Sequence, residues 1–299
     1  MLTIFTIPKA FAGHIGLIQR NALESWRRLA PACQVILVGD EQGVAETAQE
    51  LGLDHLPDVA VNEFGTPLVN SVFAAAERLA RHELLAFVNT DILLLDDFVT
   101  GAARIPHEQF LLVGARCNLQ VDEPLPFAQA DWAAQLRARA RLEGRRQTPA
   151  GMDYFVYRKG LWRGMPAFAV GRFWWDNWLV YSAASRGFPV VDGSDAVLAI
   201  HQDHDYAHPS ADGNLRSGIE VLRNGELGAA GRWYTYHDAH WKLRPAGERD
   251  AAGEPLVANW RRFAKPGLRW ARNLAERAGL CVEAGGWRHR SRPPKSAAA

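Results

Sequence analysis

Apolar residues in the first half of the chain fall into short continuous runs separated by stretches of helical spacing. Leu2 to Ile7 is a β-rich run, and Gln34 to Val38, Leu84 to Val88 and Phe110 to Ala115 are three more. Runs of this length without alternation are those of strands buried on both faces. Between them, Ile15, Ile18, Ala22, Trp26 and Leu29 approximate one helical face, and Val44 to Leu51 reads as a helix stopped by Gly52. Thr66-Pro67 supplies an N-cap followed by proline at the first helical position, predicting a helix that runs to about Leu79. Strands alternating with helices imply an α/β layer with a mainly parallel sheet covered on both sides.

The second half is aromatic and less regular. Gly151 to Tyr157 reads as a strand entered through Asp153. Phe173-Trp174-Trp175-Asp176-Asn177-Trp178 opens a helix that runs to about Ser185, with Gly187 as its terminator. Val197 to Ile200 is a short strand ending at His201. Residues 131–149 gather Arg137, Arg139, Arg141, Arg145 and Arg146 among few large apolar residues. Such a run is a solvated helix face or mobile loop, or else a lid whose guanidinium groups close over a diphosphate.

Composition narrows the functional classes. With 34 Lys and Arg against 33 Asp and Glu, the net charge of +1 gives no global attraction for nucleic acid. Cys33, Cys117 and Cys281 are few, odd in number and far apart, which indicates neither a disulfide framework nor a thiolate metal site. No secretory leader pattern opens the chain, and no window reaches the ~18 uninterrupted apolar residues of a membrane span. A soluble cytoplasmic setting is the expectation. The glycine loops GxGxxG and GxxxxGK[ST] are both missing; after the first strand the chain reads Ile7-Pro8-Lys9-Ala10-Phe11-Ala12-Gly13-His14. If a nucleotide binds, a cation and side chains must hold its phosphates.

Two polar clusters follow apolar strands. Asn89-Thr90-Asp91 comes directly after Leu84 to Val88. In open α/β sheets ligands bind outside the carboxyl ends of the strands, so Asp91 points towards the expected crevice. It either ligates a hard cation there or caps the next helix. His201-Gln202-Asp203-His204-Asp205-Tyr206-Ala207-His208 follows Val197 to Ile200. If both strands share a sheet, His201 and Asp91 face one crevice, and imidazole with carboxylate suits a divalent metal with open positions. The alternatives are a hydrogen-bonded core His201 with His204 and His208 on a polar loop, or a zinc site built from three histidines. Asp153 and Asp176 lie among aromatics, where desolvation raises a carboxylate pKa and suits it to act as a base. Asp176 can equally serve only to favour the helix dipole.

Asn89-Thr90-Asp91 resembles the Asp-x-Asp signature of GT-A glycosyltransferases, with Asn in the first acidic place. Gly151 to Phe155, Trp175-Asp176-Asn177 and His201 to Tyr206 follow in the order such enzymes use. Ile7-Pro8-Lys9, Gln19 to Trp26 and Val38-Gly39-Asp40-Glu41 resemble the opening of a group of nucleotide-diphospho-sugar transferase-like proteins. The resemblance covers residues 2–245. It implies a GT-A-like domain over 1–245, a UDP- or GDP-sugar donor and Mn²⁺ or Mg²⁺ held by Asp91 and His201. Pro8, Asp40, Asn89, Thr90 and Asp91 would line the donor pocket, Asp153 would lie on the acceptor side, and Asp176 would be the base. The acceptor is then a glycan or other hydroxyl compound, with inversion at the anomeric carbon. Asn89 departs from the pattern and would bind ribose or weaken the metal site.

Beyond residue 245 the expectation is a basic helical extension over 246–290 and a disordered tail over 291–299. Trp260, Phe263 and Trp270 with six basic residues in 256–280 suit either a peripheral contact with the inner membrane face or a helix strapped across the domain. Two other functions fit the residues. One is a metal-dependent hydrolase of a phosphorylated or nucleotide substrate; the other is a catalytically disabled glycan-binding scaffold, suggested by Asn89 and the eleven tryptophans.

Overall fold

The computed structural model describes residues 1–147, 149, 151–204, 218–231, 233–249, 253–260, 280–283 and 286–289. The first elements are β1 (Leu2–Thr6), α1 (Gly13–Arg27), β2 (Gln34–Val38), α2 (Val44–Leu51), β3 (Asp54–Leu56), α3 (Val69–Leu79) and β4 (Leu84–Val88). These strands pair in parallel in the order β3-β2-β1-β4. Every residue of β1 and β2 is buried, as continuous apolar runs require when helices cover both faces. Gly52 ends α2 in the left-handed conformation, at φ 63°, where a side chain would be strained.

One expected helix start is displaced. Thr66-Pro67 does not cap α3, which begins at Val69 after Leu68. Pro67 instead bridges Val61 and Leu68 bridges Ala169, so tertiary pairing holds this pair extended.

The chain continues through β5 (Ile92–Leu93), α4 (Asp96–Ala103), β6 (Leu111–Val113), β7 (Arg116–Leu119), α5 (Trp132–Glu143), β8 (Arg145–Arg146) and β9 (Tyr154–Arg158). The remaining elements of this part are α6 (Trp175–Ser185), β10 (Val190–Asp192), β11 (Ala199–Gln202), α7 (Ile219–Leu227), β12 (Trp241–Leu243) and β13 (Leu256–Ala258). Among the described residues the large sheet has the order β13-β12-β10-β6-β9-β4-β1-β2-β3, and a small one has the order β5-β11-β7-β8. The expected strand over 110–115 is realised as β6 alone, in the large sheet; the chain turns at Gly114 and continues as β7 in the small one. The result is the α/β architecture the sequence implied, a mainly parallel sheet flanked by helices and followed by an irregular aromatic-rich half.

β9 is the strand that places chemistry. It runs antiparallel between β4 and β6, with Tyr154 opposite Val88. Its entry, Asp153, therefore meets Asn89 at the carboxyl end of β4, where the Asn89 N–H donates to the Asp153 carbonyl at 3.0 Å. One face of the sheet is packed by an aromatic group. Phe73 sits 5.0 Å from Phe5 and stacks 5.5 Å from Phe87, and Trp175 meets Phe87 edge-on at 5.2 Å. Trp175 thereby fixes the first turn of α6, and Asp176 with it, over the sheet.

The arginine-rich segment forms α5 and β8. Leu136 and Ala140 face inward, while Arg137 pairs with Asp97 at 2.6 Å and Arg139 with Glu143 at 3.0 Å. This is the solvated helix face of the sequence reading; Arg145 is different and reaches Asp203 at 2.7 Å.

The boundary expected at 245 moves. β13 pairs antiparallel with β12 and buries Leu256, so the compact unit runs from Met1 to Asn259. Strand, not helix, therefore occupies Leu256–Ala258. In the second unit, Trp260–Ala299, Leu280–Glu283 and Gly286–His289 pair as an antiparallel ribbon where helix was expected. The rest of the expected basic helix, 261–279, and the 291–299 tail lie outside the described residues. Among the described residues no helix is long and apolar enough to cross a membrane.

Candidate metal and catalytic site

β4 ends in Asn89-Thr90-Asp91 because the apolar run stops there and the chain turns at once into β5. Asp91 thus sits between a strand of the large sheet and one of the small sheet. β11 pairs antiparallel with β5, placing His201 opposite Ile92, and pairs in parallel with β7. Trp26 Nε1 donates to the Ile92 carbonyl at 2.8 Å, and Gln202 binds the Asp91 and Ile18 carbonyls, so α1 and β11 both brace the turn. Two residues separated by more than a hundred positions are brought side by side.

Asp91, His201 and His204 each offer a ligand atom within 4.8 Å of the others. His204 Nε2 lies 3.1 Å and His201 Nε2 3.5 Å from Asp91 Oδ2. Asp91 Oδ1 is buried and has no hydrogen-bond partner among the described residues. Burial alone would raise the Asp91 carboxyl pKa, but the two imidazoles outweigh it and hold the group well below the usual carboxylate range. An ionised, partly buried carboxylate with one unpartnered oxygen beside two imidazoles fits a divalent cation. The sequence reading placed Asp91 and His201 in this site. His204 adds a third ligand atom that the reading left on a loop or in a zinc site; His208 lies outside the described residues.

Further groups surround the three. Asp203 Oδ1 is 3.6 Å from His201 Nδ1, and its other oxygen accepts from Arg145. Gln19 brackets the Lys9 backbone with bonds of 2.7 and 2.9 Å, fixing the turn after β1. Burial lowers the Lys9 pKa while the Asp91 charge pulls it the other way. Pro8 is buried in the same turn, and Thr90 is buried with its hydroxyl 2.6 Å from that of Thr6. Asp40 is exposed where the chain leaves β2, so it stands at the same carboxyl edge of the parallel strands.

Asn89 is explained by its partner. Its amide donates to Asp153 Oδ1 at 2.6 Å, while Arg116 donates to Asp153 Oδ2 at 2.8 Å. A carboxylate at position 89 would face Asp153 with like charge. The Arg116–Asp153 pair is buried, with side chains 7% and 8% exposed, so losing either partner would leave a costly unpaired charge. Arg116 escaped the sequence reading because an arginine just past a strand carries no motif. Asp176 is half-buried, and burial with the nearby Asp153 charge pushes its carboxyl up to about 7, against the opposing pull of the Asn177, Asp176 and Trp174 backbone groups. Asp153 is thus committed to its partners, whereas Asp176 is poised to exchange a proton near neutrality.

No family model and no curated protein matches the chain. Among solved structures it is similar to TarS 1-349 of S. aureus in complex with UDP-GlcNAc, at 14% identity and TM-score 0.45, covering 77% of this chain and 71% of that one. It is also similar to glucosyl-3-phosphoglycerate synthase from Mycobacterium tuberculosis in complex with Mg²⁺ and uridine-diphosphate. There the identity is 13% and the TM-score 0.45, with 77% of this chain and 79% of that one covered. Likenesses of this size assign no role to any residue here.

Proposed function

We propose that this chain is a metal-dependent glycosyltransferase that moves a sugar from a nucleotide-diphosphate donor to a hydroxyl acceptor. The observation that supports it most is the meeting of Asp91, His201 and His204 at the carboxyl edge of the sheet, with Asp91 Oδ1 unpartnered. Asp91, His201 and His204 would hold the cation, Mn²⁺ or Mg²⁺, which when bound neutralises charge on the leaving diphosphate. Pro8, Asp40, Asn89 and Thr90 stand around the same edge as the donor pocket, with Lys9 adding positive charge. Asp176 accepts the proton of the acceptor hydroxyl. Burial keeps the Asp176 pKa high, and the charge of Asp153, fixed by Asn89 and Arg116, adds to it. One base on the acceptor side implies inversion at the anomeric carbon.

The direct test is release of nucleoside diphosphate from a panel of UDP- and GDP-sugars, with and without Mn²⁺ and with candidate acceptors. Release that requires both cation and acceptor is the expected result; none from any donor, under conditions where the chain is folded, contradicts the reading. The second imidazole also favours a metal-dependent hydrolase, since two histidines and a carboxylate suit a borderline transition metal. Tightly held zinc, with hydrolysis of phosphorylated substrates, would establish that alternative.

Asp203 provides a finer test. Asp203 Oδ1 stands 3.6 Å from His201 Nδ1, and closing that gap on metal binding would orient the ring; loss of such a partner costs about 10–100-fold in metal affinity. Asp203→Asn is expected to weaken Mn²⁺ binding by that factor while leaving the melting temperature of the metal-free protein within a degree or two. Titration calorimetry with Mn²⁺ measures it.

A further inference from the structure

At the edge of the sheet opposite Asp91, the loop from α4 to β6 and the end of β9 border a cavity of about 380 Å³. Ile105, Pro106, His107, Glu108 and Arg158 line it. Arg158 pairs with Leu84, the first residue of β4, whereas Asp153 enters β9 from the other end. β9 is five residues long, so at about 3.4 Å per residue Arg158 stands roughly 17 Å from Asp153. The cavity is therefore separate from the metal and catalytic site.

Its wall is fixed. Arg104 donates to the Arg244 and Pro245 carbonyls at 3.0 and 3.2 Å, Ile105 is buried, and Gln109 Nε2 donates to the Lys159 carbonyl at 3.0 Å. The His107 ring packs 6.3 Å from Trp241, tilted at 40°. A loop tied down at both ends forms its surface in advance of any ligand.

The polar groups on this wall are unspent. His107 Nε2 and Arg158 Nε are buried and have no hydrogen-bond partner among the described residues, and the same holds for Gln109 Oε1 in the same loop. Arg116, Arg137 and Arg172, which are also buried or half-buried, each meet a carboxylate; Arg158 meets none among the described residues. Folded proteins leave few buried polar groups unpaired, and two on one cavity call for a ligand that accepts from both. Arginine Nε–H only donates, and imidazole Nε2 donates when it carries the proton. An oxyanion accepts from both, and the guanidinium fork matches two oxygens of a carboxylate or phosphate. Glu108 is exposed at the rim and sets its charge against a heavily ionised ligand.

We propose that this cavity binds a small molecule through a carboxylate or phosphate group held by Arg158 and His107. The site does not depend on the transferase reading.

Inorganic phosphate and acetate, titrated into the full chain at constant ionic strength, are the probes. EDTA is present so that no cation carries phosphate to Asp91. The imidazole C–H signals of His107, identified by their loss in His107→Gln, report binding by NMR. At least one probe should shift them along a saturating curve, and which one does so separates a phosphate ligand from a carboxylate. Arg158→Gln should weaken that binding by about tenfold or more. Glu108→Gln, an exposed change, should tighten it by about twofold or more. Shifts that fail to saturate, or that chloride reproduces, show salt and water alone and overturn the site. Binding of wild-type strength in Arg158→Gln, or no tighter in Glu108→Gln, overturns it as well. If Arg158→Gln does not fold, the direction of the Glu108→Gln change decides.

Discussion

Asp91→Asn is expected to abolish the cation-dependent stabilisation that UDP or GDP confers on the wild-type protein. A nucleotide present at about a hundredfold over its Kd stabilises by about 2.7 kcal/mol, a rise of roughly 5–10 °C in melting temperature for a unit of this size. In the wild type the rise should need Mn²⁺ or Mg²⁺ and vanish with EDTA. Asparagine keeps the shape of Asp91 and removes the charge that faces His201 and His204. The cation site then lacks its one anionic ligand, and the nucleotide response should fall to a degree or less with or without metal. Stabilisation of the variant equal to the wild type, or wild-type stabilisation undiminished by EDTA, would place the phosphates elsewhere.

Asp176→Asn should retain that stabilisation and lose transfer, by about 10²–10⁴-fold in kcat if proton removal accounts for the usual share of the barrier. Its stability should also lose the pH dependence that Asp176 gives the wild type. The folded pKa of Asp176 is raised from 3.8 to about 7, so the folded state holds this proton more tightly than the unfolded chain. The wild type is favoured by this group below pH 4 and loses that contribution as pH rises through 7. Asparagine does not ionise, so the variant should melt at a temperature several degrees higher than the wild type at pH 8, with the gap closing towards pH 4. Wild-type activity should rise with pH through about 7. An Asp176→Asn variant that turns over normally would remove this residue as the base.

Much of the scaffold was legible because its runs are bounded by punctuating residues. β2, α2 and β4 occupy the spans their patterns predicted, since Gly39, Gly52 and the polar Asn89 each stop an element. The positions of Asp91 and His201 were legible for the same reason, since each lies in the polar stretch that closes an apolar run. What the pattern could not carry is partner choice. Nothing local says that Leu68 will pair with Ala169, that β9 will run antiparallel between β4 and β6, or that Leu256–Ala258 will extend the sheet. The Asn89–Asp153–Arg116 group depends on that orientation of β9, so a sequence that made Asn89 a ribose contact or a weakened metal ligand could not show that its amide holds Asp153. His204 was equally hidden, because two residues past the end of β11 there is no fixed periodicity to aim a side chain.

The account stands on one coordination site, and direct titration of Mn²⁺ into the metal-free chain, followed by calorimetry and by electron paramagnetic resonance, tests it most simply. The expected result is one bound ion per chain in the wild type, with binding lost in Asp91→Asn and in a His201→Ala, His204→Ala double variant that still folds. Stoichiometric Mn²⁺ binding that survives both variants, or no binding in the wild type with nucleotide present, would contradict it.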